Sequence, residues 1–272
     1  MQICSLYSGS SGNAVYLKLG GIPILVDAGK SARALCRSLT SIGADMAEIR
    51  AIFITHEHCD HTSALETLLK KHSLPIHIVA ASAENLREAR CEQVSKKLVT
   101  HPILYTQSID DILTVTSFPS PHDSAACVGF RFSFIENGER HEVGYATDVG
   151  YLSDTVCEGL MGCEAVVLEC NHNVEMLKDG PYPYQLKQRI LSRKGHLSNT
   201  DCATLAVKLA ESGTKHILLA HLSETNNTPD TAFDEVFGAL AGSGVQVVVA
   251  DPCEPSWLVR QDEIMISKEA IC

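Results

Sequence analysis

The sequence predicts an α/β fold, and three observations carry that prediction. Runs rich in Val, Ile and Leu alternate with amphipathic stretches along the whole chain, as when sheets are covered by helices. The apolar runs are short and end at Gly, Pro, Asn or Asp, which suits strands. No Ser/Gly/Pro-rich linker divides the 272 residues, so a single domain over 1–272 is expected.

The first strand is expected over 2–7 and the second over 15–19, before a Gly20–Gly21 turn returns the chain into a third at 23–26. Ser31 can cap the free N–H groups of a first helix, and Gly43 suits its end. The run 51–55 leads into a histidine-rich loop, and 76–80 forms the next strand ahead of a helix signalled at Ser82. Strands at 113–118, 128–135 and 142–146 follow, the last two joined through Asn137 and Gly138. The run 165–168 precedes a helix capped at Asn199 and stopped by Gly213. Strands at 216–220 and 245–250 flank a helix after Thr228, where Pro229 fits the first helical turn. An internal echo suggests two pseudo-equivalent halves: ILVDAG carries Asp27 as YATDVG carries Asp148, and AIFITHEH and HILLAHLS each run a strand into histidine.

Composition excludes several classes. Twenty-two basic against 33 acidic residues give a net charge of −11, so the whole-molecule field repels nucleic acid, and any phosphate-rich partner is held by local charge or metal. Eleven cysteines without a CxxC pair, behind an N-terminus lacking both a basic start and an apolar core, read as reduced thiols in a cytoplasmic protein. No apolar run approaches the ~20 residues that span a bilayer, so no membrane association is expected.

Chemistry concentrates in Thr55-His56-Glu57-His58-Cys59-Asp60-His61, directly after the strand AIFI. A strand end fixes the backbone while the loop turns His56, His58, Asp60 and His61 inward, a donor set that zinc, manganese or iron accepts. His122 in SPHDS, Asp148 in YATDVG and His221 in LLAHLS lie near other strand ends. They divide naturally into His56, His58 and His122 for one ion, Asp60, His61 and His221 for a second, and Asp148 bridging. Two ions ~3.5–4 Å apart polarise a substrate oxygen and ionise water. Cys59 lies inside the cluster and is not required by this ligand count.

HEHCDH together with Asp27, His122, Asp148 and His221 resembles the metallo-β-lactamase superfamily, whose four-layer αββα sandwich places its metals at one edge of two packed sheets. More narrowly, SGSSGN at 8–13, THEHCDH at 55–61, NHNVEML at 171–177, GPYPYQLKQRIL at 180–191, GHLSN at 195–199 and AHLSETNN at 220–227 resemble the YycJ/WalJ-like branch. That resemblance implies a 5′-to-3′ DNA exonuclease linked to DNA repair. It makes Asp27 an outer carboxylate that bonds and orients the histidine loop, and gives Asp60 a catalytic as well as a ligating place. It makes His196 the donor of a proton to the leaving oxygen, with a helix-start or alternate-ligand role as the competing reading. A bridging carboxylate in place of a thiolate argues against lactam hydrolysis.

Substrate contacts are less sharply marked. Ser10 and Ser11 in the Gly-Ser loop can offer N–H and hydroxyl groups to phosphate, or simply form a turn. No acid separates Asp179 from Asp201, and Arg189 and Arg193 are spaced to share a helix face that tracks a phosphodiester backbone or stays solvated. Asn226 either orients substrate or belongs to the start of the helix near Pro229. Tyr182 and Tyr184 can stack on bases, and His172 either faces the site or is a buried, satisfied histidine. The leading function is a two-metal phosphodiesterase on nucleic acid. The alternatives are a small-molecule phosphodiesterase, a glyoxalase-II-like thioester hydrolase, and a non-catalytic metal-containing regulatory protein.

Overall fold

Alternating apolar positions fold the chain into two facing seven-stranded sheets in a computed structural model that describes residues 1–89 and 92–260. The first sheet takes β1 (Gln2–Tyr7), β2 (Ala14–Leu19), β3 (Ile22–Val26), β4 (Ile52–Phe53), β5 (Ile76–Val79) and β6 (Leu98–His101) in chain order. The second takes β7 (Thr106–Ile109), β8 (Leu113–Ser120), β9 (Cys127–Glu136), β10 (Glu139–Ala146), β11 (Ala165–Glu169), β12 (His216–Ala220) and β13 (Gln246–Val249). Finally β14 (Ser256–Val259) returns to the first sheet, antiparallel to β1.

Strands buried on both faces explain the layering. Leu17, Ile24, Phe53, Phe130, Phe132 and Leu218 meet between the sheets. On the outer face of the first sheet, Leu25 and Ile52 pack on α1 (Ala32–Ser41), through Leu35 and Leu39. After α2 (Cys59–Thr62), α3 (Leu65–Leu69) and α4 (Ala80–Ala89) add Leu65 and Leu86 to that layer, and α5 (Glu92–Lys97) leads into β6. On the opposite outer face, Val166 and Leu168 pack under α6 (Asp154–Leu160) and, beyond α7 (Val174–Asp179) and α8 (Tyr184–Ile190), under α9 (Asn199–Glu211) and α10 (Pro229–Ala239). The result is helix, sheet, sheet, helix. Each fully buried Leu, Ile or Phe contributes roughly 1.5–3 kcal/mol. Among the described residues no helix is long and apolar enough to cross a membrane.

The two sheets repeat one pairing scheme. From the β14 edge, the first sheet runs antiparallel through β1, β2 and β3, then parallel through β4, β5 and β6. From the β7 edge, the second runs antiparallel through β8, β9 and β10, then parallel through β11, β12 and β13. Asp27 and Asp148 therefore follow matching strands, β3 and β10. The strands before His56 and His221, β4 and β12, are one step out of register with each other in this scheme.

Two helix starts depart from expectation. Ser82 lies inside α4, which continues directly from β5 at Ala80, and its hydroxyl donates to Ala126 O at 2.7 Å. Ser198, not Asn199, caps α9 by accepting from Asp201 N. Ser31 and Thr228 cap α1 and α10, and Gly43 and Gly213 take positive φ after the helices they end.

Candidate metal centre

The C-terminal ends of β3, β4, β10, β11 and β12 converge at one edge of the sandwich, and each hands its chain to a tight turn carrying a polar side chain. Asp27, Asp148 and His221 adopt φ of 62°, 58° and 59°, a left-handed conformation that Asp and His tolerate better than branched residues. Gly29 seats the histidine loop: a Cβ there would lie 1.5 Å from Asp60 O, so no other residue fits.

The turns gather the histidines and carboxylates singled out in the sequence. His56, His58 and His122 place donor atoms within 4.8 Å of one another, as do Asp60, His61 and His221. Asp148 faces both sets: Oδ2 is 3.4 Å from His61 Nε2, and Oδ1 is 3.7 Å from His122 Nε2 and from His221 Nδ1. Asp148 Oδ2 and His221 Nε2 are buried without a hydrogen-bond partner. A buried carboxylate oxygen surrounded by imidazoles is what a divalent cation satisfies, so the residues present fit a pair of ions.

Outward partners fix the tautomers. His61 Nδ1 donates to Asp27 Oδ2 at 2.8 Å, and His122 Nδ1 donates to Gly195 O at 3.1 Å, leaving both Nε2 atoms facing inward. Thr55 gives its hydroxyl proton to Asp27 and receives Nδ1–H of His56 at 3.1 Å. Asp27 also accepts Thr55 N at 2.9 Å, so this fully buried acid secures the histidine loop through both backbone and side chain. Asn13 adds contacts to His61 Nε2 and Asp60 Oδ2 at 3.1 and 3.4 Å.

Glu169, absent from the residues read off the sequence, organises the other side. Its Oε1 accepts from His196 Nδ1 and His221 Nδ1, each at 2.8 Å, while Oε2 accepts Val149 N at 2.7 Å and Leu197 N at 3.0 Å. One fully buried carboxylate thus ties together the turns of Asp148, His196 and His221. Burial opposes its charge, yet the His196 and His221 contacts hold it down to about 2. Burial likewise opposes protonation of His196, but the Glu169 carboxylate outweighs it and raises that imidazole to about 9. Burial pushes the Cys127 thiol well up, so this neighbour of His56 stays neutral, and Cys59 is exposed.

A cavity of about 230 Å³ adjoins this centre, lined in part by Ser10, Asp123, Tyr182, Arg189 and His196. Ser10 reaches it, whereas Ser11 accepts Lys30 Nζ at 2.9 Å. Arg189 and Arg193 do not share a helix face, because α8 ends at Ile190. Arg189 is ion-paired with Asp123, and the Arg193 guanidinium lies 4.0 Å from the Tyr151 ring centroid. Asn226 is fully buried, and its Oδ1 has no hydrogen-bond partner. Tyr184 is exposed. His172 is buried but not satisfied, with neither ring nitrogen hydrogen-bonded, and it joins neither donor set.

Comparison with known proteins agrees with this architecture. Residues 23–222 match the family model described as the beta-lactamase superfamily domain. The chain is 34% identical over 247 residues to exodeoxyribonuclease YycJ of Bacillus anthracis, covering 89% of this chain and 90% of that protein. It is 34% identical over 258 residues to exodeoxyribonuclease WalJ of Streptococcus pneumoniae, covering 90% and 92%. Among solved structures, the metallo-β-lactamase fold protein YhfI of Bacillus subtilis superposes with a TM-score of 0.66 at 18% identity, covering 94% of this chain and 100% of that one. Fold and side-chain clusters together make the centre a dinuclear divalent metal site. With a matching family model and two relatives aligned over nine-tenths of their length, the chain belongs to the metallo-β-lactamase superfamily, in its YycJ/WalJ-like branch.

Proposed function

We propose that the chain is a two-metal phosphodiesterase that degrades DNA from a 5′ end, with His56, His58 and His122 holding one ion, Asp60, His61 and His221 the other, and Asp148 shared. The observation that carries this reading is the placement of Asp148 between two complete donor sets, each within 4.8 Å, in a chain 34% identical to two exodeoxyribonucleases. Zinc or manganese suits the His/Asp donors best, and iron is also accepted. When bound, the ions supply Lewis acidity and a nucleophile at neutral pH.

The chain's own residues do the rest. Asp27 and Thr55 hold the histidine loop so that His56 and His61 present Nε2. Glu169 holds His196 by Nδ1, which leaves Nε2 free to give its proton to the departing oxygen. The Glu169 carboxylate at Nδ1 favours the charged imidazole, the state a general acid needs.

The test is one panel: 5′- and 3′-labelled single- and double-stranded DNA and RNA, bis-p-nitrophenyl phosphate and S-lactoylglutathione, each with zinc, manganese or iron. Loss of the 5′ label as a short product from DNA supports the reading. Cleavage of the small diester or the thioester alone assigns a small-molecule hydrolase. Stoichiometric metal without turnover of any substrate assigns a binding role.

A further inference from the structure

The α8 segment stands apart from the rest of the fold. None of its residues is buried, although Leu186, Arg189 and Ile190 line the cavity together with Ser10, Asn171 and His196. A seven-residue helix without a buried side chain is not held by a core. It is held at its edges: Arg189 is paired with Asp123, Lys187 Nζ donates to Lys178 O at 2.5 Å, and Ile190 O accepts from His196 N at 3.1 Å. The same segment reaches the metal ligands, since Gly195 O accepts from His122 Nδ1. Wall, proton donor and one imidazole ligand therefore form a connected piece.

The cavity is small. About 230 Å³ lies below the roughly 300–1,000 Å³ of pockets that take drug-sized ligands. Tyr182, Leu186 and Ile190 offer an aromatic and apolar surface, Ser10 and Ser223 offer hydroxyls, and the one cation, Arg189, is neutralised by Asp123. This chemistry suits a single sugar–base unit and not a run of phosphates. Resting on the nucleic-acid reading above, we propose that the cavity receives the terminal nucleotide of a strand and that α8, latched by Arg189 to Asp123, closes its far side. The wall then sets the product length at one nucleotide and excludes a strand without an end.

Product length on linear single-stranded DNA and cleavage of covalently closed circular single-stranded DNA test this directly. Wild type releases mononucleotides and leaves circles intact. Arg189→Ala, which unlatches the wall, releases dinucleotides and longer products and begins to nick circles, with two metals still bound. Its rate on linear DNA falls about 10–100-fold, because His196 moves with α8. Replacing residues 181–192 with a short Gly-Ser linker removes the wall outright and gives stronger nicking of circles. Mixed product lengths or nicked circles from wild type overturn the proposal while sparing the nucleic-acid reading. So does strict mononucleotide release from both variants with their metals retained. Hydrolysis of bis-p-nitrophenyl phosphate with no cleavage of any DNA overturns the nucleic-acid reading, and the proposal with it.

Discussion

The Asp148 carboxylate faces both donor sets, so Asp148→Ala is expected to release both ions, whereas His122→Ala chiefly weakens one. Elemental analysis after dialysis checks this, and two tightly held ions in Asp148→Ala would remove the shared role. His196→Ala leaves the donor sets intact and should slow DNA cleavage by about 10²–10⁴-fold, but cleavage of the p-nitrophenyl diester far less, because p-nitrophenolate leaves without a proton. Equal slowing of both substrates would assign His196 to positioning. Glu169→Gln should injure more than either histidine contact alone. An amide has one acceptor oxygen and cannot take two imidazole and two backbone protons. Metal affinity should fall about 10–100-fold alongside the loss of rate, measured by competition with a chelator. Glu169 was hidden in the sequence because it ends the apolar run AVVLE, where one acid reads as the strand's edge. The histidines were legible because four donors within six residues have no packing explanation. Asp123 was hidden behind its neighbour His122, and its pairing with Arg189 joins positions 66 residues apart.

Across the strands, Phe53 of β4, His77 of β5, His101 of β6 and Tyr105 stack ring on ring, with centroids 4.6, 5.2 and 3.9 Å apart. His77 Nδ1 and His101 Nε2 are hydrogen-bonded at 2.9 Å, and burial, with the neighbouring imidazole, lowers His77 to about 4. A histidine lowered in the folded state binds its proton first in the unfolded chain. Its contribution is therefore complete above about pH 6.5 and is lost as pH falls toward 4, by up to a few kcal/mol. Denaturant unfolding of metal-free His77→Phe across pH 4–7 should show a flatter profile than wild type. An identical slope would place the pH sensitivity elsewhere. The elements that were legible are those whose signals are local: Ser31 and Thr228 accept from N–H groups three residues on. The missed strands β6, β7 and β14 are four-residue segments at sheet edges. β14 is decided by a distant partner, β1, whereas β7 is a local hairpin partner of β8, with Ile109 opposite Leu113, and its single apolar residue leaves no strand pattern to read. The Arg189 and Arg193 spacing misled because the helix periodicity it assumes stops at Ile190, and Gly195 turns the chain tightly against Ile190 O.

At the scale of the molecule, a net charge of −11 opposes capture of a polyanion. Two divalent ions at the sheet edge reverse that locally, so chelation should abolish not only cleavage but most of the affinity for single-stranded DNA, measured at low salt by fluorescence anisotropy. Affinity that survives chelation would point to a surface cation cluster. The closure of the first sheet bears on biosynthesis. β14 pairs with β1, and the Ser8 hydroxyl accepts from His221 N at 2.7 Å across 213 residues. A chain emerging from the ribosome presents the histidine loop early, but the turn that completes the second donor set emerges only with residue 221. The β1 edge then stays unpaired until residue 256 is out. Loop closure over such separations is slow, and open strand edges invite association. Nascent chains stalled before residue 221 should therefore bind one metal ion at most, and those stalled between residues 221 and 256 should depend on a chaperone to shield β1, which makes translation speed over residues 221–256 a determinant of how much competent enzyme a cell obtains.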